Sequence, residues 1–326
     1  MKKFFSLLLA LCIAAPAIFA AAGQQSTPAY PTKPITCVVP YAPGGGSDTL
    51  VRSVMKSIKL PNNQTMVALN IEGSGGFTGA MRAYNSPADG YTIMTHNTLD
   101  LIAFSQSGVD NIPILTECTT LALLVTDYSL VSTNKIAAAE YGWKTIEDVV
   151  AWCKANPDKK IRLGTSGSQQ GDNMINSTRI ARGLGIFDSV NFVLYDSGAA
   201  ARTAGMSNEV QLSVNTASEL PGVVASGDNI PLLVINDKRI KYYPDVPTTV
   251  EKGVNVTISK PRGFFGPKGM NPAHVKVIED ALRAVSNDPE FLESMDKLGF
   301  DVIFVGGEEA KKKAEGWLAE MKPFYN

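Results

Sequence analysis

The chain has 326 residues, 44% of them hydrophobic and 19% charged, with 30 Lys and Arg against 31 Asp and Glu. That is enough apolar material for two packed domains, and the near-neutral balance, with no basic stripe, argues against nucleic acid as a partner. The 4 Cys and 2 His include no CxxC pair, so neither a metal nor a redox centre is expected, and no cofactor.

The first 22 residues read as a secretory signal peptide: Lys2 and Lys3, an apolar core from Phe4 to Phe19, then Ala20-Ala21-Ala22 before Gly23. The apolar run is shorter than the roughly 20 residues a spanning helix needs. Cleavage near Ala22 would leave a soluble, exported and mildly acidic protein. It would also remove Cys12 and leave Cys37, Cys118 and Cys153, each in an apolar segment and read as a buried thiol.

An apolar strand over 35–40 then runs into the loop Pro43-Gly44-Gly45-Gly46-Ser47-Asp48 and a helix near 48–59, where Leu50, Val51, Val54, Met55 and Ile58 share a face. The strand 66–70 leads to a second glycine loop, Gly73-Ser74-Gly75-Gly76-Phe77-Thr78-Gly79, and a helix near 79–86. Each loop opens a helix, so its unpaired N–H groups sit at the positive end of a helix dipole and suit an anion. Glycine lets a ligand approach the backbone without a Cβ in the way. Tyr41, Pro43, Gly44, Gly45 and Ser47 of the first loop, and Gly75, Gly76, Phe77 and Thr78 of the second, are therefore candidate contacts for a small carboxylate or phosphate. Asp48, in the first helical turn, is expected to brace its loop or hold water rather than touch an anion.

The turn Pro87-Ala88-Asp89-Gly90 precedes the strand 91–95, and His96 at its end is a candidate ligand donor. A long apolar strand follows at 121–132, then an amphipathic helix over 143–156 capped by Thr145. The strand 160–164 ends in a small-residue loop with Thr165 and Ser166, before a helix over 172–184. Strands at 191–195, 210–214 and 230–235 carry Asp196 and Asn215 at their ends. Beyond the rigid Tyr243-Pro244-Asp245-Val246-Pro247 come helices near 272–286 and 289–298, a strand at 301–304 and a last helix over 307–322. Strands alternating with helices predict an α/β fold with mainly parallel sheets.

Two other activities fit the residues poorly. A dinucleotide fingerprint would need glycine where Thr78 stands and an acidic residue where Thr95-His96-Asn97 follows the next strand. A secreted hydrolase of a small carboxylate ester or amide would need a nucleophile elbow, yet neither Ser74 nor Ser166 lies in G-x-S-x-G, and His96 has no evident carboxylate orienter. No catalytic residue is assigned.

The ordered set of short motifs resembles the Bug family, the periplasmic solute receptors of tripartite tricarboxylate transporters. It begins with Tyr30-Pro31-Thr32-Lys33-Pro34-Ile35 and Val39-Pro40-Tyr41-Ala42-Pro43-Gly44-Gly45-Gly46-Ser47-Asp48. It continues through Gly73-Ser74-Gly75-Gly76, Pro87-Ala88-Asp89-Gly90-Tyr91-Thr92, Ala155-Asn156-Pro157 and Gly164-Thr165-Ser166-Gly167 to Tyr243-Pro244-Asp245-Val246-Pro247-Thr248. The resemblance implies a two-lobe Venus-flytrap fold, type II-like, with one lobe from 23–130 plus 252–326 and the other from 131–251. The chain would cross between them near Ser129–Thr133 and Thr248–Ile258. It implies a periplasmic monomer that binds a small organic acid between the lobes, without chemistry, and delivers it to a membrane permease. One ligand carboxylate would be held by backbone groups and water of the glycine loops rather than by an arginine clamp.

The chain departs from the family pattern at two places. Asn70-Ile71-Glu72 replaces the usual Arg-Pro before the second loop, and Asp196-Ser197-Gly198 stands where many members have Lys-Gly. An acidic Asp196 at the cleft would disfavour a second ligand carboxylate, so a neutral or cationic group is expected towards Asp196, Thr165 and Asn215.

Overall fold

The computed structural model describes residues 30–106, 113–167, 169 and 171–322; the proposed signal peptide lies outside them. Ten strands form two sheets joined through one long strand. In chain order they are β1 (Ile35–Val39), β2 (Met66–Asn70), β3 (Thr92–Asn97), β4 (Thr119–Asn134), β5 (Ile161–Ser166), β6 (Val190–Tyr195), β7 (Leu212–Thr216), β8 (Asn229–Val234), β9 (Ser259–Gly266) and β10 (Asp301–Gly306).

The first sheet runs β2-β1-β3-β9-β4 with β10 also on β4, and the second runs β4-β7-β5-β6 with β8 on β4. Residues Thr119 to Tyr128 of β4 pair with β9, whereas Ser129 to Thr133 pair with β7 and Leu130 to Asn134 with β8. One continuous strand therefore carries the chain from one lobe to the other. The return passes Ile258, whose N–H donates to the Ile235 carbonyl at 3.1 Å. The outer strands pair in parallel, as alternation predicts: β1 with β2 and β3, and β5 with β6 and β7. The five pairings made by β4 and β9 are antiparallel, so the sheets are mixed around that pair of strands.

Local signals set most elements. Leu50, Val51 and Val54 of the helix Gly46–Ser57 are buried against β1 and the helix Pro289–Leu298. Thr145 caps the helix Ile146–Ala155 in a capping box with Asp148. Cys37, Cys118 and Cys153 are buried free thiols. The helix Thr98–Gln106 and the strand β9 have no counterpart in the sequence reading. β9 reads Ser-Lys-Pro-Arg-Gly-Phe-Phe-Gly, whose proline, charges and glycines are loop-like. Pro261 lies where β9 pairs with β4 alone, β3 joining it only from Arg262 onward. No helix among the described residues is long and apolar enough to cross a membrane.

Candidate functional site

The two lobes meet around a narrow cavity of about 40 Å³. One wall comes from the first glycine loop and the ends of β3 and β9: Tyr41, Gly45, Gly46, Ser47, Asn97, Asp100, Lys260 and Arg262. The facing wall comes from the loops after β5, β6 and β7, including Ser166, Asn173, Ser197, Gly198, Asn215 and Glu219. Helices Gly46–Ser57 and Gly198–Met206 point their N-termini at this space, which favours negative charge there.

Gly46 is where close approach decides the residue. A Cβ there would lie 2.8 Å from Ser218 Oγ and 2.9 Å from an Arg262 guanidinium nitrogen. Gly45, which the sequence reading favoured, has extended backbone (φ −78°, ψ 167°) and ordinary space around it, with its nearest neighbour at 3.4 Å. Pro43 and Gly44 are exposed at the loop tip. Asp48 does brace the loop: its carboxylate accepts from Gly44 N at 2.9 Å, Arg52 Nε at 2.8 Å and Asn70 Nδ2 at 3.0 Å. Partial burial pushes the Asp48 carboxyl up, but those three donors outweigh it and hold the group below the usual range.

The second glycine loop does not line the cavity. Gly75 and Gly76 are buried, and both have left-handed backbone, φ 65° and 99°. A Cβ on Gly76 would strike the Tyr41 ring at 2.9 Å. The loop thus backs Tyr41, whose hydroxyl donates to Asp100 at 2.6 Å. Phe77 packs edge-on against Phe104 at 5.3 Å between centroids, and Thr78 is exposed.

His96 is sealed behind Tyr41 and Phe104, with ring centroids 5.4 and 5.5 Å away. Its Nδ1 lies 3.0 Å from the Asn97 carbonyl, so Nδ1 carries the proton and donates. Burial, opposed by that bond and assisted by the charge of Arg262, pushes the imidazole down to about 4. The folded state therefore resists a proton that the unfolded chain accepts. Stability present above about pH 6.5 should fall by about 3 kcal/mol as pH drops towards 4. His96 imidazole resonances that stay neutral at pH 5 in NMR would bear this out; titration near 6.5 would contradict it.

Thr165 is fully buried and Ser166 lies on the wall. Asn215 is on the wall too, donating from Nδ2 to the Gly198 carbonyl at 3.1 Å and to Glu219 Oε2 at 3.4 Å. Asp196 is exposed and off the wall, where Ser197 and Gly198 stand instead. Its expected role at the cleft is thus corrected: the two residues that follow Asp196, at the start of the next helix, make the wall there. Glu219 is the acidic residue that closes this side. Its carboxylate accepts from Thr216 N at 3.2 Å and from Gly46 N of the other lobe at 3.4 Å. It also lies over Gly198 with no room for a Cβ.

The cations of the site were missed from sequence because β9 was. Lys260 and Arg262, two apart on one strand, face the same side. Arg262 donates to Ser47 Oγ at 2.8 Å and to Asp127 at 3.1 Å, and Asp127 in turn accepts from Ser218 Oγ at 2.6 Å. Burial works against the guanidinium's charge, and Asp127 and Glu219 more than offset it. Lys260 pairs with Asp172 at 3.3 Å and donates to Asn173. Each cation thus ties the first sheet's strand to a segment of the second lobe, directly or through Asp127. The cleft thus holds an arginine and a lysine that the sequence did not point to, both neutralised by partners of their own.

Residues 50–324 match the family model described as the tripartite tricarboxylate transporter family receptor. The chain belongs to this family. The receptor is 26% identical over 303 residues to protein BugT of Bordetella pertussis, covering 92% of this chain and 89% of that one. It is 25% identical over 305 residues to a Cupriavidus necator protein of the UPF0065 group, with the same coverage. Among solved structures, the periplasmic binding protein BugD superposes with a TM-score of 0.81 at 24% identity, covering 90% of the receptor and 98% of BugD. MatC from Rhodopseudomonas palustris, solved with bound malate, gives 0.79 at 18% identity, covering 91% and 100%. An R. palustris protein solved with adipate gives 0.82 at 19% identity, covering 90% and 97%. These likenesses establish the two-lobe periplasmic-binding-protein fold.

Proposed function

We propose that the receptor works in the periplasm, after loss of residues 1–22, as a monomer. It captures one small organic acid between its lobes and hands it unchanged to the permease of a tripartite tricarboxylate transporter. The observation that carries this reading is the cavity itself, where two helix N-termini from opposite lobes converge with Ser47, Arg262, Ser166 and Asn215. Such a site offers a carboxylate charged and backbone donors from both sides, and closure of the lobes completes it.

The lobes are proposed as 23–130 plus 252–326 and 131–251, supported by the change of β4 partners at Ser129. Malate and adipate in structurally similar proteins support an organic acid as the ligand class. Binding without chemistry is supported by His96, which is 0% exposed and bonded to a backbone carbonyl, unable to act as a base on a bound solute. The reading is tested by whether an organic acid compacts the protein and is recovered intact.

A further inference from the structure

Two carboxylates from opposite lobes face each other out of water. Asp172, the first residue of the helix Asp172–Gly183, is 0% exposed, and Asp100, in the first turn of the helix Thr98–Gln106, is 7% exposed. Neither oxygen of Asp172 makes a hydrogen bond among the described residues. The cation paired with it is Lys260 of β9, with Nζ 3.3 Å from Oδ2, and that ammonium also donates to Asn173. Asp100 accepts from neutral donors, the Tyr41 hydroxyl at 2.6 Å and the Asn97 amide at 3.4 Å, both on its Oδ2.

The other charged and titratable groups around Asp172 supply no further counter-charge. Arg262, two residues along β9 from Lys260, is committed to Ser47 and Asp127. The Tyr41 phenol and the His96 imidazole act on Asp172 from the first lobe, and both are neutral, because burial holds the phenol well above its ordinary range and drives the imidazole down to about 4. On the helix of Asp172 itself, Arg179 lies two turns away and donates to Asn176 and to the Asn255 carbonyl. Two like charges and one counter-charge, with no hydrogen bond to one carboxylate, is an arrangement that a proton resolves. The proton removes the repulsion and turns an oxygen that lacks a partner into a donor towards the other carboxylate. Burial pushes the Asp172 carboxyl up to about 7, with Lys260 opposing and Asp100 adding to it.

Resting on the receptor reading above, we infer that closing of the lobes takes up one proton, held on Asp172 against Asp100, so that capture of a solute tightens as the medium turns acidic. The close charged neighbours of Asp172, Lys260 and Asp100, both lie on the first lobe. Parting the lobes therefore lets water reach the carboxyl and returns it to the ordinary aspartate range, about 4. Between about pH 4 and pH 7 the closed form holds a proton that the open form lacks. Closure strengthens as pH falls through that window and changes little outside it.

Calorimetric titration of the mature protein with lactate, benzoate, succinate, malate and adipate, all ionised at pH 7, tests this. Repeating each titration in two buffers of different ionisation heat counts the protons exchanged. An acid that binds should bring about half a proton with it at pH 7, and its affinity should rise about tenfold from pH 8 to pH 6. Asp172→Asn should take up none, and its pH dependence, which reports ionisation of the acid alone, is the baseline for the wild type. Should that variant not fold, Asp100→Asn puts an amide where the like charge stood and should cut the uptake to less than about a quarter of a proton. The proton count does not depend on how tightly the acid binds, so a loss of affinity in either variant leaves it readable. Binding with no uptake in the wild type, or with uptake unchanged in the variants, would overturn the inference and leave the receptor reading intact. No binding by any organic acid would overturn both.

Discussion

Replacing Arg262 by Met should cost about 3–5 kcal/mol of stability in urea unfolding, the range for removing one partner of a buried ion pair. Arg262 is 6% exposed and its partner Asp127 is 0% exposed. The variant keeps the apolar stem but, among the described residues, leaves Asp127 with only neutral donors, Ser218 and the Tyr128 N–H. Adding Asp127→Asn to Arg262→Met should recover part of the loss, because a neutral amide needs no counter-charge. Ser47 Oγ loses its Arg262 donor in both variants, so recovery should be incomplete. A single variant within about 1 kcal/mol of wild type would place the pair in the class of solvated surface bridges.

The second large effect is expected at Gly46. Valine there drives a branched side chain into Ser218 and Arg262, at 2.8 and 2.9 Å from its Cβ. Ser218 belongs to the opposite lobe, so that clash opposes closure, while Arg262, on β9 of the same lobe, would be displaced from Ser47. Affinity for the native solute should drop by about 100-fold, some 2.7 kcal/mol. Gly45→Ala, one residue earlier, should change affinity by less than about threefold, because its Cβ meets nothing nearer than 3.4 Å. Calorimetry on both variants decides the matter. Equal losses would mean that the loop acts through flexibility and not through the contact at Gly46.

Capped helices and short apolar strands are local, and they were legible: Thr145 with Asp148, the face of Leu50, Val51 and Val54, and the strand Met66–Asn70. The place of the first loop at the cavity was legible too, since it needs only glycine, a helix start and a preceding strand. Its neighbour was misread for the same reason. Gly73 to Gly76 look identical in kind, yet their left-handed backbone serves to pack beneath Tyr41, a contact set by tertiary structure.

β9 was illegible because its pattern breaks every strand rule and only burial between β3 and β4 overrides it. With it went Lys260 and Arg262, whose two-residue spacing on a strand is the one signal that could have placed them on a common face. Asp196 and Glu219 make the same point from the acidic side. A cleft-facing acid was expected, but the residue that fills the role comes from the short turn after β7, where Glu219 completes a capping box with Thr216 and reaches across to Gly46.

Small-angle X-ray scattering of the mature protein tests the central claim most directly. In the described structure the lobes touch across the cleft, Gly46 N–H on Glu219 and Lys260 on Asp172, so entry of an organic acid calls for them to part. The account predicts that solute-free protein scatters as a more open particle, that the tightest-binding organic acid compacts it towards the profile calculated from this structure, and that mass spectrometry recovers the acid unchanged. A profile indifferent to every acid that binds, or an acid returned as a product, would contradict it.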